Sequence, residues 1–268
     1  MRHLSVPLLL VTVAAAPVAA PVAAQNSVLL RMAPDVGMVS AYHMNMEMFM
    51  EGGPLPFPPG QPLMVQNMFT TQTVVALEEE NRVVEVTVDS MRMEMPAMPG
   101  ILPPMDQLAG MRQRMVLSPT GEIVSMEVEG ANIPPELREM MEGLNQGPGG
   151  MSPSFPDRAV TVGDSWDATS EMEMPAMQGQ ALSLSVSITY TVDEIRAVDG
   201  AQHVVLSIAG VMESDGAAVE LDGEVTGTLE FNATSSQLVS QSMEIIMNMA
   251  ALGQPMTMRM KMQTDLIN

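Results

Sequence analysis

The sequence predicts a mainly β fold: two similar antiparallel β repeats that form a curved sheet or half-barrel, with one helix at the repeat junction. Three observations lead to this fold class. Apolar and polar residues alternate over long stretches, the pattern recurs in the second half, and helical periodicity is confined to one segment. With 268 residues, of which 20 are Gly and 21 are Pro, the chain is long enough for a sizeable core and is not of low complexity.

The alternation is clearest between Leu182 and Val192, where every second residue is apolar and Ser or Thr stands between. A strand with one buried and one solvated face requires this pattern, whereas a doubly covered parallel sheet would give a continuous apolar run. The sheet is therefore predicted to be antiparallel. The predicted strands are 36–50, 64–78, 82–95, 110–118, 122–129, 160–174, 181–196, 202–213, 219–231, 236–249 and 255–266.

An internal duplication accounts for the recurrence. Val36-Gly37 corresponds to Val162-Gly163, and the alternating run from Val84 to Val88 corresponds to the run from Val204 to Ile208. In both copies the alternation slips by one residue after this run, before Met91 and before Val211, which predicts a β-bulge in each copy. The predicted organisation is a signal peptide over 1–24, repeat one with its helix over 25–150, and repeat two over 151–268.

The predicted helix lies at the junction of the repeats. Pro134-Pro135 would open it, and the glycines at 147, 149 and 150 would end it. Its apolar stripe predicts that it covers one face or one mouth of the sheet. The stripe consists of Ile133, Leu137, Met140, Met141 and Leu144.

The first 24 residues have the pattern of a secretory signal. Arg2 and His3 precede the apolar run from Leu4 to Val13, and Val22-Ala23-Ala24 gives a small-residue cleavage site. An uncleaved membrane anchor is the alternative, but three prolines and an Ala-rich second half make a poor membrane helix. We expect a periplasmic or secreted protein, cleaved after Ala24 and without stable membrane insertion. Because the chain has no Cys, disulfides, thiolate metal sites and lipidated cysteines are excluded.

The net charge excludes one class of partner. The chain carries a formal charge of −21, and removal of Arg2 with the leader makes the mature charge −22. A field of this sign repels phosphate backbones, so nucleic acid is not an expected partner. The charge is interpreted as a means of solubility, because the acidic residues lack the spacing of a calcium loop.

Methionine is the chemical anomaly of this sequence, with 31 residues. The methionines occur at every second position in several predicted strands, so each run falls on one face. Three interpretations are open: core filler in place of Leu and Phe, a deformable lining for an apolar ligand, or capture of a soft ion such as Cu(I) or Ag(I). The predicted ligand-lining residues are Met44, Met46, Met48, Met91, Met93, Met172, Met174, Met258 and Met260; the metal alternative uses Met44, Met46 and Met48.

Catalysis is not predicted. His43 and His203 are the two histidines outside the leader, and the chain has no nucleophile elbow, phosphate-binding loop, His-Glu-x-x-His pair or dinucleotide fingerprint. His203 adjoins an alternating strand and is interpreted as an ordinary packed or edge histidine. No cofactor is expected, and the sequence indicates no particular protein partner.

The segment from Phe155 to Trp166, which contains Val162-Gly163-Asp164-Ser165-Trp166, resembles an uncharacterised family of exported bacterial proteins. Members of that family carry a Val-Gly-Asp-x-Trp entry, often in two tandem β repeats, and many are lipoproteins. This chain departs from them in lacking the lipid-accepting Cys and in having Ser40-Ala41-Tyr42 where the first copy would carry the Trp element. The family supplies no functional residues. The strand count and covering helix are also similar, more loosely, to half-barrel lipoprotein carriers of the bacterial envelope.

These observations predict an exported, non-catalytic protein that binds an apolar or amphipathic, lipid-like molecule on a Met-lined concave sheet. Periplasmic sequestration of Cu(I) or Ag(I) by the Met-x-Met runs is the alternative. A structural or docking component of the envelope is the second alternative.

Overall fold

The computed structural model describes residues 27–53, 58, 60–96, 109–129, 153–177, 180–214, 221–251 and 254–267. These residues form one antiparallel sheet of eleven strands, which confirms the predicted fold class. The strands are β1 (Val39–Gly52), β2 (Met64–Glu78), β3 (Asn81–Glu94), β4 (Arg112–Leu117), β5 (Ile123–Glu129), β6 (Ser165–Met177), β7 (Gln180–Val198), β8 (Ala201–Ser214), β9 (Leu221–Asn232), β10 (Gln237–Ala251) and β11 (Gln254–Ile267).

The two halves of the chain share this sheet. Its strand order is β5-β4-β3-β2-β1-β11-β10-β9-β8-β7-β6, so each half is a meander in which successive strands are neighbours. The first strand of the chain pairs with the last, and we call this β1–β11 pairing the seam. Its register runs from Ala41 opposite Ile267 to Gly52 opposite Met256. The sheet is open, because β5 and β6 are its edge strands.

The Val-Gly turns that suggested a duplication are equivalent in structure. Gly37 and Gly163 have φ angles of 90° and 89°, which glycine adopts without a Cβ clash. The amide of Gly37 donates to the carbonyl of Val74 at 2.8 Å, and the amide of Gly163 donates to the carbonyl of Val192 at the same distance. Each turn therefore joins its half of the sheet at the corresponding point of the second strand.

Two bulges also recur. The register of β2 skips Val75, directly after Val74, and the register of β7 skips Asp193, directly after Val192. In the hairpins β4–β5 and β9–β10, the skipped residues are Val124 and Val239. A β-bulge is a local irregularity, and bulges at equivalent positions of the two halves are not expected by chance. The repeated bulges therefore support the internal duplication.

The two bulges predicted from the sequence have different outcomes. The bulge after Val88 is confirmed, because the β2–β3 register skips Asp89. The prediction of a bulge between Ile208 and Val211 is wrong, because β8 pairs with β7 and β9 there without a register shift. Gly210 takes the inward position in β8, where a Cβ would lie 2.6 Å from the carbonyl oxygen of Ser187. Val211 points outward and is 51% exposed. Because glycine leaves the inward position without an apolar side chain, the next apolar residue, Val211, gave the alternation pattern of a shifted register.

The main core lies on one face of the second half, which we call the inner face. It is built from alternate residues of β7 to β10, and Leu206, Leu229 and Phe231 are at most 1% exposed. Two smaller clusters lie in the first half, one around Val84 and Leu117 and one around Val88 and Met111. The interior of the sheet therefore has separate buried centres on the two sides of the seam.

Two irregular segments close the main core. Val28 and Leu30 from the first segment, and Phe155 and Val160 from the second, are buried in it. A β-bridge joins Val28 to Val160, with hydrogen bonds of 2.9 and 2.7 Å. The ring of Phe155 meets that of Phe231 edge-on, with 4.8 Å between the centroids. These segments supply a second layer that the sheet itself lacks at this place.

The predicted signal peptide and the helix predicted over Ile133 to Leu144 lie outside the described residues, as does the boundary at residue 150. The division of the chain at that boundary stays a prediction. Within the described ranges, no helix is both long and apolar enough to cross a membrane.

We predict that Phe231→Ala costs about 3 to 5 kcal/mol of unfolding free energy, because it leaves a cavity in the main core. Phe69→Ala is the matched control, since Phe69 is 39% exposed and has less apolar surface to lose. Urea unfolding followed by circular dichroism measures both. Equal losses for the two variants would contradict this assignment of the core.

Candidate functional site

The seam aligns methionines from distant parts of the chain. Across it, Met46 stands opposite Met262, Met48 opposite Met260 and Met50 opposite Met258. Opposite residues of an antiparallel pair point to the same side of the sheet, with Cβ atoms about 4.5 to 5.5 Å apart. The next strand continues the rows, with Met243 opposite Met262 and Met247 opposite Met258. Three strands thus contribute adjacent thioethers to the inner face.

The methionines at the seam are less buried than the core beside them. Met243, at the border, is 4% exposed, whereas the methionines of β1 and β11 are only partly buried. Met260 and Met262 pack against the edge of the main core. We define the methionine patch as the partly buried methionines of the seam and of adjoining β10: Met44, Met46, Met48, Met50, Met247, Met249, Met256, Met258, Met260 and Met262.

Three buried polar side chains border the patch on the inner face. Thr264 stands opposite Met44, Gln241 opposite Thr264, and Gln66 opposite Met46. Their exposed fractions are 7%, 6% and 9%. The Gln241 amide donates to the sulfur of Met243 at 2.7 Å. The inner face at the seam therefore combines a thioether surface with a polar border.

The predicted lining residues fall into three groups. Met44, Met46, Met48, Met258 and Met260 lie together in the patch. Met91 and Met93 lie on β3, in register with Met68 and Gln66 of β2, and so extend the same face by two strands.

Met172 and Met174 are not brought to the patch. They belong to β6, and five strands separate β6 from β1. With neighbouring strands about 4.8 Å apart, this separation is on the order of 29 Å along the sheet. The sequence reasoning left out Met50, Met247, Met249, Met256 and Met262. Their alternation was visible, but nothing in the sequence showed which strands would be neighbours.

A second feature of the seam lies on the opposite, polar face. An open depression of about 620 Å³ spans β1, β11, β10 and β9. The prediction placed a concave lining on the methionine side, whereas the depression described here is on the other side. Its lining includes Gly227, Met243 and Met262, and the other lining residues are polar and alternate outward along these strands: Asn45, Glu47, Thr226, Thr228, Ser242, Glu244, Lys261 and Gln263.

The two histidines have ordinary structural surroundings. His43 points to the polar face, where its ring stacks on Phe69 with 4.5 Å between the centroids and its Nε2 lies 3.4 Å from Asn67. It therefore does not join the methionines of β1. His203 is 8% exposed, and its Nδ1 lies 2.7 Å from Oε1 of Glu230, which also accepts from Arg196 at 2.9 Å. The described part of the chain contains no cluster of three His, Asp or Glu side chains suited to a metal ion.

The Val-Gly-Asp-x-Trp segment fixes the start of β6. The carboxylate of Asp164 accepts from the amide of Thr161 at 2.8 Å and from Arg158 at 3.1 Å. These hydrogen bonds, that from the Thr161 amide foremost, hold the pKa of Asp164 below its ordinary value. The indole of Trp166 stacks on Tyr190 and donates to the carbonyl of Ser154 at 2.7 Å. The motif thus ties the covering segment to the sheet.

Acid stability tests the His203–Glu230–Arg196 group. Burial raises the pKa of Glu230, but hydrogen bonds and charges from His203 and Arg196 outweigh burial and place it below its ordinary value of 4.5. A depressed folded pKa stabilises the fold above the unfolded pKa, and this contribution is lost as pH falls through the folded pKa. We expect Glu230→Gln to lower the unfolding free energy at pH 7, with the difference from wild type shrinking below about pH 4.5. A constant difference between pH 7 and pH 3 in urea titrations would contradict this coupling.

Partial burial of the patch predicts the order of methionine oxidation. In dilute hydrogen peroxide we expect Met46, Met48 and Met260 to form sulfoxides several-fold faster than the buried Met212 and Met243, because oxidation follows exposure. Peptide mass spectrometry after Glu-C digestion measures each site. Equal rates in the two groups would show that the patch is as closed as the core.

Comparison with known proteins shows a distant likeness to a solved structure. No family model matches this sequence, and no curated protein matches it either. Among solved structures, the crystal structure of the hypothetical lipoprotein YmcC from Escherichia coli is similar, with a TM-score of 0.27 and 11% sequence identity. The likeness covers 84% of this chain and 87% of that chain. At this TM-score it supports no inference about the function of this protein.

Proposed function

We propose that this protein is an exported, non-catalytic component of the bacterial envelope that binds an amphipathic, lipid-like molecule on the methionine patch. The single observation that carries the proposal is a difference in burial between two regions of the inner face. The aliphatic and aromatic core of the second half is sealed, while the methionines at the seam are partly open. A plain core filler would be expected to be as buried as the residues it replaces.

The side-chain chemistry favours an apolar guest. Methionine is unbranched and polarizable, so a methionine surface adapts its shape to a guest. Burial of one methionine side chain stabilises the folded state by about 1.5 to 3 kcal/mol, and the loss of its rotamer freedom opposes this gain by up to about 2 kcal/mol. The patch therefore gains little by closing on itself and more by covering a ligand that brings its own apolar surface.

The polar border favours an amphipathic ligand over a wholly apolar one. Gln66, Gln241 and Thr264 offer amide and hydroxyl groups beside Met44 and Met46 on the same face. A hydroxyl, ester or amide group of a ligand could pair with them while its chain lies over the thioethers. An anionic headgroup is disfavoured, because the chain carries a net charge of −21.

Soft-metal binding is the second candidate, and one observation favours it. Met46, Met262 and Met243 stand side by side on three neighbouring strands, so three thioether side chains are adjacent on the inner face. Thioethers are ligands for Cu(I). Unlike the prediction from the sequence, this arrangement draws its sulfurs from different strands rather than from the Met44-Met46-Met48 run.

Two sets of substitutions separate the candidates. The triple variant Met46→Gln, Met48→Gln, Met260→Gln removes apolar surface, and we expect it to weaken binding of the uncharged fluorophore N-phenyl-1-naphthylamine at least about tenfold. The corresponding triple Leu variant keeps the apolar surface and removes the sulfurs, so it should bind the fluorophore like wild type. The matched control is Met38→Gln with Met115→Gln, two partly buried methionines that pack against the first-half cluster around Val84 and Leu117.

Cu(I) binding, measured anaerobically by competition with bathocuproine disulfonate, completes the test. Copper binding that is lost in a Met46→Leu, Met262→Leu variant, together with no fluorophore binding by the wild type, would replace the lipid proposal with the metal one. Absence of fluorophore binding in the wild type, with no lipid released by solvent extraction, would overturn the proposal.

A further inference from the structure

The depression on the polar face has the chemistry of a ligand site, although it lies opposite the methionine patch. Its floor is the backbone of the seam and of β9 and β10, and polar side chains from four strands surround it. Its volume is about 620 Å³, and it is open to solvent.

Several of its polar groups have no partner within the part of the chain that the structure describes. Glu47, Ser242, Thr226 and Thr228 form no side-chain hydrogen bond or ion pair there. The hydroxyls and the carboxylate are exposed or partly exposed; the hydroxyls stand on the adjacent strands β9 and β10, and β11 lies between them and Glu47 of β1. They are therefore available to a ligand without loss of an existing bond.

Lys261 is the single lysine of the sequence, and it is one of the residues that line this depression. By register it stands between Glu47 of β1 and Glu244 of β10. Its ammonium lies 5.9 Å from the centroid of the Phe49 ring, while Glu244 pairs with Arg259 at 3.6 Å. The described ion pairs of this chain all use Arg or His. The depression is therefore lined by the one side chain of this sequence that carries a compact ammonium with three donors.

The mixture of groups indicates the class of ligand. Glu47 and Glu244 flank the ammonium of Lys261, and because Glu244 is also paired with Arg259, the depression is close to neutral within a chain of charge −21. An anionic ligand is repelled by this field. The carboxylates accept hydrogen bonds, the ammonium donates them, and the hydroxyls and amides do both. A ligand that matches this surface is neutral and carries many groups that both donate and accept.

We propose that the polar depression binds a neutral saccharide, with Lys261, Glu47, Thr226 and Thr228 as its principal hydrogen-bonding groups. The proposal is independent of ligand binding on the methionine patch, because the two sites use opposite faces of the seam. Together they would give the protein one apolar and one polyhydroxylated ligand surface.

The single lysine permits a direct test on the full-length mature chain. Reductive methylation with ¹³C-formaldehyde labels Lys261 and the N-terminal amine and leaves both positive charges intact, and the Lys261→Gln variant identifies the Lys261 signal by its absence. Maltotriose, cellotriose and N,N′,N″-triacetylchitotriose are then added to 10 mM each, roughly the concentration needed to detect weak sites. We expect at least one trisaccharide to shift the dimethyl-Lys261 signal saturably.

Variants define the site. Thr226→Val with Thr228→Val keeps side-chain shape and removes two hydroxyls, and we expect about tenfold weaker saccharide binding. The matched control is Thr87→Val, a partly buried threonine of β3 outside the depression, which should bind like wild type. The methionine-patch Gln triple should also bind the saccharide normally, which separates failure of this proposal from failure of the other.

Two results would overturn the proposal. One is the absence of a saturable shift of the Lys261 signal with all three trisaccharides. The other is a shift that the Thr226/Thr228 double variant retains at full affinity, which would place the saccharide elsewhere. Any variant that has lost its circular dichroism spectrum is replaced by Lys261→Gln, read by isothermal titration calorimetry with the same sugars, where unchanged affinity would likewise contradict the proposal.

Discussion

The seam between the first and last strands is the constraint on which the rest of this structure depends. Twelve paired positions from Ala41 to Gly52 fix the register of β1 against β11. In a strand, successive side chains point to opposite faces, so a slip of one residue would exchange all of them. This one register places methionines beside methionines on the inner face and Glu47 beside Lys261 on the polar face. Both proposed sites are consequences of the same pairing.

Much of the fold could be predicted from the sequence because alternation is a local signal. Long runs such as Leu182 to Val192 indicate both the presence of a strand and which residues share a face. The first residues of strands were predicted less accurately. The pattern placed the start of one strand at residue 160, whereas β6 begins at Ser165, after the Val162-Gly163 turn. The error at Gly210 arose because glycine gives no apolar signal even where it occupies an inward position.

The candidate site could be predicted only in part, because neighbour relations are not local. The sequence showed that Met46 and Met260 each belong to a row, but the adjacency of those rows depends on a strand pair at opposite ends of the chain. For the same reason Met172 was grouped with residues of β1, although five strands lie between β6 and β1. The burial of individual methionines could not be predicted from the sequence either, because buried and partly exposed methionines show the same alternation. The polar depression was missed because its residues are ordinary one by one and become a site through pairing.

The strand order has a consequence for how the molecule acquires its native state. β1 and its partner β11 lie far apart in the sequence, with Ala41 opposite Ile267 and Gly52 opposite Met256, so their pairing closes the longest stretch of chain among the described strand pairs. Until β11 is in place, β1 presents a long unpaired edge with alternating thioethers, and such edges template association between chains. Contacts of this separation also slow folding. We therefore expect the protein to be most prone to aggregation while this pairing is unformed, so that the 14-residue β11 influences the folding kinetics as well as the final structure.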